Sequence, residues 1–302
     1  SIERGNRVYP ASMRATDVVD ALAGYIKREG IKIINNCTIK EIIPAVDSSY
    51  TAQTEEKKET IRPEKNISGY YRFKLLGQNG EIIALAKSVI IATGGLSYQS
   101  TGSTGDGYIM AKQLGHTVTR QFPSLTALKP KGRWAQKASL KNVAVTLIID
   151  GNEVANEFGD LDFTDGGIEG PIGYKVSRKA VEALEERRKV SLILDLKPSL
   201  SSEQLQNRIL REYSQGNSSL PALLSRLLPK DIIQSFTEYL NQCHHIKECR
   251  DKGHTAQLIA ATLKNWKFEI IGNVGYERAV VTAGGISLKE ISQKTLESKL
   301  VK

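Results

Sequence analysis

Residues 89–107, VIIATGGLSYQSTGSTGDG, constrain this chain more than any other stretch, because a short apolar run empties into two clusters of glycine and hydroxyl residues. Residues 88–91 are uncharged and small or β-branched, a pattern that predicts a buried parallel strand. In a doubly wound sheet, ligands bind at the carboxyl ends of the strands. Thr93, Gly94 and Gly95 fall at that end, where the missing Cβ atoms let a flat ring or a pyrophosphate approach the backbone. Ser103, Thr104, Gly105, Asp106 and Gly107 then lead into a predicted helix with Ile109, Met110 and Leu114 as its apolar positions, closed by Gly115. The free N–H groups of such a helix start favour a polar or anionic neighbour.

The 302 residues allow one large or two ordinary domains, and 40% apolar with 25% charged residues is a globular composition. No apolar run approaches the roughly 20 residues a membrane-spanning helix needs, so no membrane partner is expected. The chain starts at Ser1 with no signal sequence to read, which suggests a non-natural start. Its net charge of +9 comes from 42 basic and 33 acidic residues. These are interleaved, as in RKAVEALEERRK, and accompany no nucleic-acid motif, so nucleic acid is not expected as a partner. Three cysteines, Cys37, Cys243 and Cys249, point to a reducing cytoplasm rather than a disulfide framework. Cys243, His244, His245, Cys249 and His254 could suggest zinc. Consecutive helical residues point in different directions, however, so no metal site is expected.

The first part of the chain alternates in the α/β manner: a strand over 7–9, a helix over 16–28 capped by Ser12 or Thr16, a strand over 31–34, hairpin strands over 38–43 and 70–76, and a strand over 81–85 after the Asn79-Gly80 turn. Residues 48–68 are polar and read as a loop. Past His116 the pattern changes. A strand over 143–149, the glycine-rich segment FTDGGIEGP, a helix opened by Pro171, a strand over 190–194 and four helices between 201 and 266 form a separate block. Residues 279–283, AVVTA, then deliver Gly284-Gly285, a second strand-to-GG turn, as if the chain returned to the sheet it had left.

Taken in order, ERGNRVYP, a helix ending in REGIKI, IIATGGLSY, TGSTGDGY, FTDGGIEGP and VTAGGISLKEI resemble the motifs of the BaiN/RdsA-type (YhiN-like) NAD(P)/FAD-dependent oxidoreductases, also called aminoacetone oxidase-like flavoproteins. The resemblance spans nearly the whole chain, although TGDG alone is shared with fumarate reductase flavoproteins. It implies a fold of the α/β class: a partial Rossmann-like FAD-binding domain over 1–117 and 276–302, interrupted by an inserted α+β domain over 118–275. The insert would have a strand-rich part (118–198) and a small helical bundle (199–266). It implies FAD as cofactor, NAD(P)H as reductant and a small-molecule substrate. It places Thr93, Gly94, Gly95, Ser103, Thr104, Gly105, Asp106, Gly284 and Gly285 around the flavin and Thr38, beside Cys37, near the adenine. Arg7, with Pro10, supplies a cation near the flavin or an anionic substrate.

Members of that family carry an N-terminal G-x-G-x-x-G turn followed by an acidic residue, and a glycine-rich segment beyond the TAGG strand; this sequence has neither. FTDGGIEGP also has Asp165-Gly166-Gly167 where the family usually has His-Tyr-Gly. The expectation is therefore the central portion of a flavoenzyme that by itself holds no FAD and turns nothing over. The competing expectation is a non-catalytic module whose insert recognises a partner. No Ser/His/Asp or Cys/His set stands out, and a flavin enzyme needs none.

Overall fold

A computed structural model describes residues 2–3, 7–43, 71–77, 80–135, 137–215, 219–244 and 251–301. The expected loop over 48–68, Asn79, His245 and Cys249 lie outside the described residues. The chain divides into two compact units, Ser1–Val89 and Ile90–Lys302.

In the first unit, β1 (Ile2–Glu3) pairs antiparallel with β2 (Arg7–Val8), and α1 (Ala15–Arg28) follows. The helix starts one residue earlier than the sequence suggests, and neither Ser12 nor Thr16 caps it. Arg14 holds the N-cap position without a side-chain cap, because the Ser12 hydroxyl bonds the Asp17 carboxylate instead of a first-turn N–H. The apolar stripe of α1 is present but no residue of the helix is buried. β3 (Thr38–Ile43), β4 (Tyr71–Gly77) and β5 (Gly80–Ala86) form an antiparallel three-stranded sheet around Ile42 and Phe73.

The second unit opens on residues 90–105, then α2 (Asp106–Gln113), β6 (Phe122–Ser124) and β7 (Leu128–Pro130). β8 (Ala138–Ile149), β9 (Asn152–Thr164), β10 (Gly167–Glu169), α3 (Gly170–Glu185, with Pro171 in its first turn) and β11 (Val190–Asp195) come next. Four helices follow: α4 (Ser202–Ser214), α5 (Leu220–Ser225), α6 (Lys230–His244) and α7 (Lys252–Lys264). The chain returns through β12 (Trp266–Asn273) and β13 (Val281–Ala283).

Six strands close into an antiparallel barrel in the order β10-β7-β12-β11-β8-β9. Alternation fills the barrel interior: Val143, Val145, Leu147 and Ile149 of β8 and Val190, Leu192 and Leu194 of β11 are all buried, while the residues between them are partly or fully exposed. Trp266 joins barrel to helices. Its ring lies 4.8 Å from Phe268 and 5.9 Å from Phe163 in the barrel, and 5.3 Å edge-on from Phe236 of α6. Ser201 caps α4 through a reciprocal capping box with Gln204. The Lys264 ammonium ties α7 to the segment after β11, reaching the Lys197 and Leu200 carbonyls and the Asp195 carboxylate.

Three sequence expectations are corrected. Residues 31–34 and 88–91 are apolar but form no strand; Ile90 is 91% exposed, and neither run has a ladder partner among the described residues. A β-rich composition cannot make a strand without a neighbour to take its N–H and C=O groups. Every strand pairing among the described residues is antiparallel, including that of 281–283, so the expected parallel sheet is not found there. Finally, Trp266 begins a barrel strand instead of ending a helix, because its ring is needed under the aromatic cluster.

Candidate functional site

The two GG turns meet in space although about 190 residues separate them. β13 pairs with β6 in the register Val281↔Ser124, Thr282↔Pro123, Ala283↔Phe122. That places Thr282 against the first turn, where its hydroxyl oxygen accepts the N–H groups of Leu96 (2.8 Å) and Ser97 (3.1 Å). Gly95 permits this approach: an added Cβ would lie 2.6 Å from Thr282 Oγ1 and 3.1 Å from the Tyr108 hydroxyl. Three other glycines of the motif are likewise spent on internal contacts, Gly94 against Ser103, Gly105 against Leu96 and Gly107 against Thr93, whereas Gly102 has open space around it. Gly284, at φ +82°, sits directly over the Arg120 carbonyl. Thr119 anchors Gly285, donating its N–H to the Gly285 carbonyl at 2.7 Å and accepting the Gly285 N–H at 3.1 Å.

Between the turns lies an open cleft of about 350 Å³ lined by Gly95, Tyr98, Thr101, Ser103, Tyr108 and Thr282, among others. Gly105 takes the N-cap position of α2 in a left-handed conformation without a side-chain cap; its carbonyl accepts the Tyr108 N–H at 2.9 Å, and the Asp106 and Gly107 N–H groups keep no intrahelical acceptor. Asp106, half-buried, is in that first turn, where its charge suits the helix dipole. Thr104 is exposed and its N–H bonds the Gly102 carbonyl. Thr93, Gly94, Gly95, Ser103, Gly105, Asp106, Gly284 and Gly285 are thus brought into one region of the second unit. Thr38 opens β3 and Arg7 opens β2; both belong to the first unit.

Thr282, Tyr98, Tyr108 and Thr119 are site-forming residues that sequence reasoning did not single out, although Thr282, Tyr98 and Tyr108 stand inside the motifs themselves. Burial pushes the Tyr108 phenol above its ordinary value. Tyr276 is raised by burial and then by Glu185 and Tyr108, against the pull of Arg120. A second cleft, about 280 Å³, opens beside Gly284, where Arg120 pairs with Glu185 and Arg178 and Glu182 line the wall. In the FTDGGIEGP loop, Asp165 pairs with Arg278 at 3.0 Å, which holds its carboxyl below the usual range, and the Tyr174 hydroxyl donates to Glu169. The residues 164–174 and 274–280 therefore bear on the same end of the barrel.

The segment after the second turn is clamped by buried His116, whose ring nitrogens contact Glu290 (3.1 Å) and Ser298 (2.9 Å). Glu290 also accepts the Thr117 N–H at 2.8 Å. Hydrogen bonds from Thr117, then the neighbouring His116, hold the Glu290 carboxyl below its ordinary 4.5. A depressed carboxylate contributes stability that is complete above the unfolded value and lost as pH falls through the folded one. Acidification from about pH 6 to about pH 3 is therefore expected to lower the urea midpoint of the parent more than that of Glu290→Gln. Equal slopes would remove Glu290 from this clamp.

Among the described residues no helix is long and apolar enough to cross a membrane, and no group of three His, Cys, Asp or Glu side chains could hold a metal.

Residues 123–281 match the family model described as HI0933-like protein barrel and H2TH domain. The match begins and ends at the paired strands β6 and β13, so the glycine turns emerge just outside it. Over 299 residues, 98% of this chain and 67% of the relative, the chain is 25% identical to a 3-dehydro-bile acid delta(4,6)-reductase of Clostridium scindens. It is 30% identical to a ribosomal RNA dihydrouridine synthase of Haemophilus influenzae, over 71% of this chain and 51% of the relative. A ribosomal RNA dihydrouridine synthase of Escherichia coli is 28% identical over 81% of this chain and 58% of its own length. The chain thus spans about half to two thirds of the length of these curated relatives.

Proposed function

Because this chain belongs to the HI0933-like family of barrel and H2TH-domain proteins, we propose that it forms the cleft-bearing portion of an FAD-dependent oxidoreductase whose substrate is a small molecule with an unsaturated or carbonyl-bearing group. The observation that carries this reading is the meeting of the two GG turns on Thr282 beside the uncapped start of α2. The residues present fit one part of the cofactor. The cleft is large enough for a flat ring, its walls are backbone and hydroxyl groups, and the free N–H groups of α2 suit a polar or anionic edge. When bound, the flavin supplies hydride transfer, with NAD(P)H as its reductant.

On this reading Gly95 lets Thr282 and Tyr108 close against the first turn, Ser103 and Thr101 offer hydroxyls at the rim, and Tyr108 holds a proton at its phenol oxygen. The segments over 1–117 and 276–302 are the Rossmann-like flavin domain, the insert over 118–275 covers the substrate, and the protein works in the cytoplasm. A second reading of the substrate, a uridine within RNA, is favoured by the names of two relatives and by the net charge of +9. The double bond is the shared chemistry: a Δ4,6-reductase and a dihydrouridine synthase both saturate one.

Expression of the natural protein from its own gene tests this. The expected product is yellow, carries one flavin and is bleached anaerobically by NADH or NADPH. A protein that stays colourless after reconstitution with FAD would overturn the flavoenzyme reading and favour the non-catalytic module. The 302-residue chain by itself, which contains no G-x-G-x-x-G turn, is expected to retain no FAD through purification.

A further inference from the structure

Three cations meet in the seam where the barrel hands the chain to the helices, and among the described residues only one of them is neutralised. Lys264 of α7 has its ammonium 2.6 Å from the Asp195 carboxylate, 2.9 Å from the Leu200 carbonyl and 3.1 Å from that of Lys197. The other Asp195 oxygen accepts the Lys197 N–H at 2.9 Å, so both oxygens of this carboxylate are taken. Lys197 itself sits in the turn that links β11 to α4, closed by the Leu200 N–H on its carbonyl. Arg208 stands on α4 beside buried Ile209 and one turn past buried Leu205, at the edge of the face that packs inward.

Lys197 and Arg208 are both half-buried, and neither side chain has a hydrogen bond or ion pair among the described residues. Glu212, one turn further along α4, is engaged by another group. Burial, then the charge of Arg208, lowers the Lys197 ammonium below its ordinary value, so the two cations lie within electrostatic reach of each other. Lysine and arginine are seldom covered to this extent without a counter-charge, and two like charges side by side make each other's burial worse. An anion that takes both removes the repulsion and supplies the missing hydrogen bonds.

We propose that Lys197 and Arg208 form a phosphate site in the seam between barrel and helices, which shares no residue with either cleft. Cations offered from two different elements suit a tetrahedral anion, whose oxygens point several ways, whereas a carboxylate is satisfied by a single guanidinium fork. The phosphate belongs either to the backbone of an RNA or to a small phosphate ester or free ion. The inference does not rest on the flavoenzyme reading: it concerns what the helical block holds, and a chain without flavin would keep it.

The test melts the 302-residue chain in potassium phosphate and in potassium chloride of equal ionic strength, as parent, Lys197→Gln, Arg208→Gln and Lys129→Gln. Phosphate stabilises most folds by exclusion from their surface, so the difference between variants carries the result. Lys129, an exposed barrel lysine opposite Gly272 at the far end of β12, controls for the loss of one charge. Lys197→Gln and Arg208→Gln are expected to melt no lower than the parent in chloride, since each removes one of two repelling charges. They gain less in phosphate, with phosphate affinity lowered about tenfold or more. Arg208→Met, which keeps the aliphatic stem, stands in should the glutamine variant fold poorly. Equal phosphate gains in all the proteins overturn the proposal. So does a lower melting temperature in chloride with an unchanged phosphate gain, the mark of a merely structural pair. Fluorescence anisotropy with a labelled oligouridylate then identifies the source. Weaker binding by both variants, with the slope of log affinity against log salt reduced by about one, assigns the phosphate to RNA. Oligouridylate binding that neither variant changes assigns it to a small ester or free ion.

Discussion

Trp266→Ala is expected to cost about 3–5 kcal/mol, which in a unit of this size lowers the melting temperature by roughly 6–20 °C. Trp266 is 2% exposed and is the meeting point of two structural layers. Phe163 and Phe268 approach it from the barrel, Phe236 and Tyr239 from α6, all with ring centroids within 6.5 Å. Alanine leaves a void lined by four aromatic rings from elements that cannot all collapse inward. The edge-on pair with Phe236 is lost in addition to the burial of the indole. Trp266→Phe fills most of the space and is expected to fall between. Calorimetry on the three proteins checks this, and a loss below about 1 kcal/mol would show that barrel and helices do not depend on one shared core.

Gly284→Ala is expected to cost about 3 kcal/mol or more. The residue sits at φ +82°, already unfavourable for alanine by about 1–2 kcal/mol. The added Cβ also falls onto the Arg120 carbonyl group, 2.9 Å from its carbon, and 3.2 Å from the Gln121 Cα. Both obstacles are backbone, so no rotamer change relieves them. The turn must move, and with it Gly285 and its three bonds to Thr119. Gly102→Ala is the control. It has φ +96° but nothing within 4 Å of the new methyl, so only the conformational cost of about 1–2 kcal/mol applies. Urea melts that rank the two variants equally would contradict the assigned clash.

Much of this architecture was legible before any coordinate. Residues 143–149 read as a strand, Pro171 marked the first turn of α3, and the first of the four helices was placed from 201. Those signals are local. The failures were of another kind. Residues 31–34 and 88–91 have strand-like composition without a neighbour to pair with, and β12 was hidden because Trp266 reads equally as the end of an apolar helix. Barrel closure depends on which strand lies beside which, and periodicity within one strand does not encode that.

The glycine motifs show the same division. The sequence by itself marked 93–95, 102–105 and 284–285 as turns, because glycine takes the left-handed angles of 94, 102, 105, 284 and 285 without steric cost. It also determined the family resemblance, since ordered motifs are a property of the chain alone. Only the tertiary structure decided that one threonine, Thr282, would join turns some 190 residues apart, and that most of the glycines would be used to admit protein atoms. It alone turned Tyr98 and Tyr108 toward one cleft. Backbone conformation follows from the residue and its immediate neighbours, whereas a cleft is made by surfaces that meet only when the whole chain has packed.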